Sequence, residues 1–168
     1  ISQAYYVRSA DLVSKTAKVL GKDADSKKYA EVAKKARERF CKEYLKDGGV
    51  VENDCQTSYL LALAFDILPE KDRPAAFKNL LRSIERADNH LRTGFVGTPL
   101  LNPVLTRFGR PDVAFDLLFK QTYPSWLYPI NQGATTMWER WNSYSLKDGF
   151  GDVNMNSFNH YAYGAIGQ

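Results

Sequence analysis

The sequence predicts an all-α chain built of antiparallel helical hairpins, and three observations carry that expectation. Apolar residues recur at helical spacing through most of the 168 residues, whereas strand-like alternation is almost missing. One segment, Tyr59 to Phe65, is apolar on every side and so needs cover all round. Its neighbour is amphipathic and charged, and this alternation is what two concentric rings of helices require.

The first helix is expected from Gln3 to Leu20, with Tyr6, Leu12, Val13, Ala17 and Leu20 toward one face and Gly21 as its stop. Asp25 or Ser26 caps a second helix to about Leu45, striped by Val32, Ala33, Ala36 and Phe40 and closed by Asp47-Gly48-Gly49. A third covers Cys55 to Ile67, and an amphipathic fourth covers Glu70 to Ala87. Thr98-Pro99 opens a fifth, with a capping hydroxyl and a proline at the first helical position. It ends near Gly109, and Pro111 opens a sixth to about Lys120. A final helix is expected from near Asn156 to the end of the chain. The inner ring is then Tyr59–Phe65, Leu100–Phe108 and Phe158–Ile166. Thr57, Thr98 and Asn156, the inner-helix start points, show no fixed spacing, unlike a regular array repeating near about 34 residues.

Composition narrows the function classes. The hydrophobic fraction of 44% and charged fraction of 25% are those of an ordinary globular domain. The net charge of +4 is mild, and its basic residues between Lys15 and Lys46 alternate with acids, as on a solvated helix face. Nucleic acid is therefore not expected as a partner. No apolar run approaches the roughly 20 residues of a membrane span, so no membrane partner is expected. Cys41 and Cys55 lack CxxC or Cys/His spacing and read as two small hydrophobes rather than a disulfide. No metal site or cofactor is expected.

Aromatic residues, 13% of the chain, concentrate after Tyr123. There Gly133-Ala134-Thr135-Thr136-Met137-Trp138-Glu139-Arg140-Trp141 sets one carboxylate among indoles, and Asn156-Ser157-Phe158-Asn159-His160-Tyr161-Ala162-Tyr163-Gly164 sets a histidine among rings. Indole faces suit the C–H face of a pyranose, and a carboxylate can move a proton or activate water. On residue chemistry alone Glu139 is either such a group or a solvent-exposed acid paired with Arg140 or another base. His160 is either a sugar contact or a satisfied core histidine. Of Trp138 and Trp141, one can line a pocket while the other packs. Tyr123 to Met155, too long for a plain connection, is expected to be an ordered functional loop.

Within these stretches, Thr135 to Trp141 and Ser157 to Gly164 resemble the closing motifs of the bacterial α-L-rhamnosidase catalytic domain. Gly94-Phe95-Val96-Gly97-Thr98-Pro99 and Gln121-Thr122-Tyr123-Pro124-Ser125-Trp126 are similar to further segments of that family. The resemblance runs over residues 1–168 but covers only the C-terminal part of the family's domain. It implies part of an (α/α)6 toroid and hydrolysis of terminal α-L-rhamnosyl bonds with inversion. It implies Glu139 as the general base and His160 in contact with the sugar, with Trp138 and Trp141 as further substrate-binding residues. Asn142 departs from similar sequences, where an acid is common.

Inversion needs two carboxyl groups roughly 6.5–9.5 Å apart, and nothing in this chain matches the family's upstream acid motif. The expected partners are therefore a rhamnose-containing glycoside or polysaccharide and the rest of a parent polypeptide. The isolated chain is expected to be inactive and, with apolar edges uncovered, to self-associate. Two other classes fit the residues: a different (α/α)-barrel enzyme acting on carbohydrate, and a non-catalytic helical-hairpin binding module. Localisation stays open.

Overall fold

The computed structural model describes residues 1–155 and 157–164. It is an all-α fold with two very short hairpins, divided into two compact units, Ile1–Leu80 and Leu81–Gln168. No helix among the described residues is long and apolar enough to cross a membrane.

In the first unit, α1 (Ser2–Val19) and α2 (Asp23–Tyr44) form the expected antiparallel pair. The chain reverses at Gly21, whose φ of 67° suits glycine, and the Lys22 amide reaches back to Ala17 O at 2.8 Å. The face that α1 buries differs from the expected one. Ala4, Val7, Ala10 and Ala17 are inside, while Tyr6, Leu12, Val13 and Leu20 are exposed. The reason is steric: α1 packs on α2 with small residues buried on both helices, Ala4, Ala10 and Ala17 on one and Ala33 and Ala36 on the other, where larger side chains would hold the backbones apart. Arg37 pairs with Asp11 across the two helices.

Leu45–Lys46 (β1) and Val50–Val51 (β2) pair antiparallel around the Asp47-Gly48-Gly49 turn. Next, α3 (Gln56–Ala64) buries Tyr59, Leu60, Leu61, Ala62 and Leu63, consecutive residues that take every face of the helix. Burying each leucine contributes about 1.5–3 kcal/mol, so this helix anchors the unit's core. The expected fourth helix divides into a 3₁₀ turn, Glu70–Asp72, and α4, Arg73–Glu85, which crosses the boundary between units.

In the second unit, α6 (Pro111–Phe119) starts on its proline as expected, and α5 (Thr98–Arg107) starts one residue before Pro99. Thr98 does not cap α5 with its hydroxyl; Gly97 holds that position, and Thr98 Oγ1 donates to Gly94 O at 2.9 Å. Gly109 (φ 80°) makes the turn between the helices, with Arg110 N bonded to Leu105 O at 2.8 Å. The long stretch after Tyr123 is more structured than expected. It contains α7 (Leu127–Asn131) and a hairpin of β3 (Tyr144–Ser145) and β4 (Gly149–Phe150). The expected final helix is not formed from Ser157 to Gly164, where irregular chain bent at Phe158 and Asn159 leads into one 3₁₀ turn, Tyr161–Tyr163. Its cause is the bonding of residues 157–160 to another segment, given below. The parts of that expectation at Asn156 and at residues 165–168 lie outside the described residues.

Candidate active site

Glu139 and His160 sit on two segments that run beside each other. The Glu139 amide donates to Ser157 O at 2.9 Å, and the His160 amide donates to Met137 O at 2.8 Å. Thr136 Oγ1 donates to Phe158 O as well. The pairing slips by one residue between the first and second bonds, as at a bulge, so no regular strand forms. These bonds consume the backbone groups that a helix through 157–160 would need.

Glu139 is half-buried as a residue, and its carboxylate is held at one oxygen. The Ser157 amide donates to Oε2 at 2.9 Å, while Oε1 has no partner among the described residues. Arg140 turns to Asp152, Nη1 to Oδ2 at 3.4 Å, so it is not the counterion of Glu139. The expected alternative of a pair with Arg140 is not seen, while that of a plain exposed acid stays open. Ser143, fully buried, ties the same turn: it accepts from Arg140 N at 3.2 Å and donates to Arg140 O at 3.1 Å.

His160 is half-buried, and its Nδ1 accepts from the Ala162 amide at 3.3 Å. An accepting Nδ1 carries no proton, so the neutral ring bears its proton on Nε2 and can donate there. Its ring lies against Phe95 at 4.8 Å between centroids and 16° from parallel.

Both site indoles are about 5% exposed, and their roles differ. Trp138 is held edge-on by Phe158 at 5.3 Å and Tyr144 at 6.4 Å, which fixes the segment just before Glu139. Trp141 stacks on Tyr163 at 4.0 Å and 13° and meets Trp126 edge-on at 5.5 Å. Trp126 Nε1 in turn donates to Tyr163 O at 2.9 Å. Trp141 also lines a cleft of about 530 Å³ with Arg92, Thr93, Tyr123 and Pro124. Its own Nε1 is buried without a hydrogen-bond partner among the described residues. His90, at the same cleft, is structural, bonded through Nδ1 to Asp88 O and through Nε2 to Thr122 Oγ1, each at 2.7 Å.

Sequence reasoning missed Phe95 as a neighbour of His160; the signal available was its place in the Gly94–Thr98 segment before a helix start. It also missed the Ser157 amide, which no side-chain pattern can reveal. A cavity of about 340 Å³ in the first unit, beside Tyr44, Asn53 and Ser58, contains none of the expected site residues. Among the described residues no group of three or more His, Cys, Asp or Glu is gathered. Both cysteines are free; Cys55 is exposed rather than buried, and Cys41 is half-buried with Sγ on Ile67 O at 3.7 Å.

Comparison with known proteins identifies the family of the chain. Residues 1–168 match the model of the bacterial alpha-L-rhamnosidase 6 hairpin glycosidase domain. An alpha-L-rhamnosidase of Formosa agariphila is 54% identical over the whole chain, and one of Alteromonas sp. (strain LOR) is 52% identical over 99% of it. The chain spans 18% of the length of each of these relatives. Among solved structures, the Streptomyces avermitilis α-L-rhamnosidase complexed with L-rhamnose superimposes with a TM-score of 0.95 at 47% identity, over 99% of this chain and 16% of that one. The Aspergillus terreus α-L-rhamnosidase gives 0.92 at 36% identity, over 98% of this chain and 19% of its own. The chain belongs to the six-hairpin glycosidase family of the bacterial α-L-rhamnosidases.

Proposed function

We propose that this chain supplies the water-activating half of an inverting α-L-rhamnosidase site. Its 168 residues act as the C-terminal portion of a larger (α/α)6 catalytic domain. The observation that carries the reading is the pairing of residues 136–139 with 157–160, which puts Glu139 and His160 on adjoining segments of a chain with this family membership.

Glu139 acts as the general base. The Ser157 amide holds Oε2, and Oε1 takes a proton from the water attacking the anomeric carbon on the face opposite the aglycone. His160 donates from Nε2 to a sugar hydroxyl. Of the two indoles, Trp138 holds the Glu139 segment against its aromatic neighbours, and Trp141, stacked on Tyr163, is the one assigned to the sugar, although the cleft it borders is lined by neither Glu139 nor His160. The general acid comes from elsewhere in the parent polypeptide, so the 168-residue chain alone does not hydrolyse an aryl α-L-rhamnoside. Residues 1–168 also leave apolar side chains such as Tyr6 and Val19 exposed, and the isolated chain self-associates through such surface.

The test is Glu139→Gln in the full-length polypeptide. It keeps shape and removes basicity, so kcat falls by roughly 10²–10⁴ with KM little changed. His160→Ala instead raises KM. Nuclear magnetic resonance of the first-formed sugar should show the inverted anomer. Near wild-type turnover in Glu139→Gln, or retention of configuration, overturns the reading.

A further inference from the structure

We propose that Phe95 is a positioning residue for His160, fixing the plane of the imidazole so that Nε2–H is aimed before sugar arrives. The inference rests on the reading of His160 as a sugar contact.

His160 has one described polar tether on its ring, the Ala162 amide on Nδ1 at 3.3 Å. A bond of that length selects the tautomer but leaves the ring free to rock about it. Rocking would swing Nε2 and weaken any directed hydrogen bond to a hydroxyl. A flat partner restrains this motion, and Phe95 lies nearly parallel at 4.8 Å and 16°. The Tyr161 ring is also parallel to the imidazole, at 5.8 Å and 5°, but it is 88% exposed and so lacks backing.

Phe95 itself is held by a ring neighbour and by its backbone turn. Its ring leans on Tyr163 at 5.0 Å and 49°, and Tyr163 is buried against Trp141. Its backbone belongs to a turn in which three donors converge on Gly94 O: Gly97 N at 3.1 Å, Thr98 N at 3.0 Å and Thr98 Oγ1 at 2.9 Å. Thr93 Oγ1 and Thr98 Oγ1 close the same turn at 2.8 Å. A buried aromatic stack and a rigid turn thus meet at Phe95, and the imidazole rests on the result. Immobilising a side chain before binding removes an ordering cost that otherwise appears in affinity.

The experiment uses the full-length polypeptide, free L-rhamnose in titration calorimetry, and turnover of an aryl α-L-rhamnoside. Phe95→Leu keeps bulk and loses the flat face; it should weaken L-rhamnose by about 2- to 12-fold and raise KM alike, with kcat little changed. Phe95→Tyr keeps the face and should restore affinity. In a His160→Ala background, Phe95→Leu should cost nothing further, because it acts through the imidazole. The same loss in both backgrounds, or full affinity in Phe95→Leu while His160→Ala binds weakly, overturns the proposal alone. Intact binding in His160→Ala overturns the sugar-contact reading beneath it. Should the leucine variant melt early, Phe95→Met carries the same comparison.

Discussion

The Glu139 amide donates to Ser157 O at 2.9 Å, and the Ser157 amide returns a bond to Glu139 Oε2 at the same distance. One residue's backbone thereby fixes both the position and the rotation of the carboxylate. The bond to Oε2 also distinguishes the two oxygens, since Oε1 has no partner among the described residues.

If that distinction matters, the amide of Ser157 and not its hydroxyl is the functional group. Ser157→Ala retains the amide and should keep kcat within about threefold. Ser157→Pro removes the donor and should lower kcat by roughly tenfold or more, a typical cost for losing a hydrogen bond to a charged group. Equal kcat in the two variants of the full-length polypeptide would show that the carboxylate does not depend on this anchor.

Gly48 and Gly49 offer a controlled pair. Both have positive φ, 71° and 73°, so alanine is strained at either. A Cβ at Gly48 meets nothing within 4 Å, whereas at Gly49 it would lie 2.6 Å from Ala76 N and 2.7 Å from Ala75 Cβ. Gly48→Ala should therefore cost about 1 kcal/mol of conformational strain. Gly49→Ala should cost about 1–3 kcal/mol more, because the β1–β2 turn must move off α4. Urea denaturation of the two variants checks the difference, and equal midpoints would contradict the packing.

These two glycines also show what the sequence makes legible. Local punctuation reads well: Gly21, Gly109, Pro99 and Pro111 bound their helices nearly where expected. The all-round apolar run at α3 announces its burial. Choosing between two apolar faces does not follow from periodicity, so α1 was assigned the larger side chains while close packing selected its alanines. Two-residue strands such as Tyr144–Ser145 are too short to show alternation. Glu139 and His160 were named by the likeness of their segments to a family. The bonds that unite them join residues 18 to 23 apart in a slipped register, which no local pattern encodes.

The two cysteines should differ in reactivity. Cys55 is exposed beside Ser58, while Cys41 is half-buried, and burial, then the negative charge of Asp72, pushes its thiol above the ordinary cysteine range. Because the thiolate is the nucleophile, iodoacetamide near neutral pH should label Cys55 faster, by on the order of tenfold. Peptide mass spectrometry at early times reads this directly. Equal labelling would mean that the Cys41 environment opens on the timescale of the reaction.

Tyr163 gives a pH dependence whose sign is fixed by its surroundings. It is buried against Trp141 and Phe95, and burial raises its phenol above the ordinary tyrosine value; Tyr123 adds to the rise and Arg140 opposes it. With the folded value above the unfolded one, the unfolded chain releases its proton first as pH rises. Stability from this group is therefore complete below the unfolded tyrosine value, near about pH 10, and is lost as pH climbs through the folded value. Tyr163→Phe keeps the ring and removes the titration, so its stability should fall less steeply across that alkaline window. Below it, wild type and variant should show parallel pH profiles. Urea midpoints measured at intervals from neutral to strongly alkaline pH test this. An identical alkaline decline in both proteins would show that Tyr163 is not among the groups whose ionisation opens the fold.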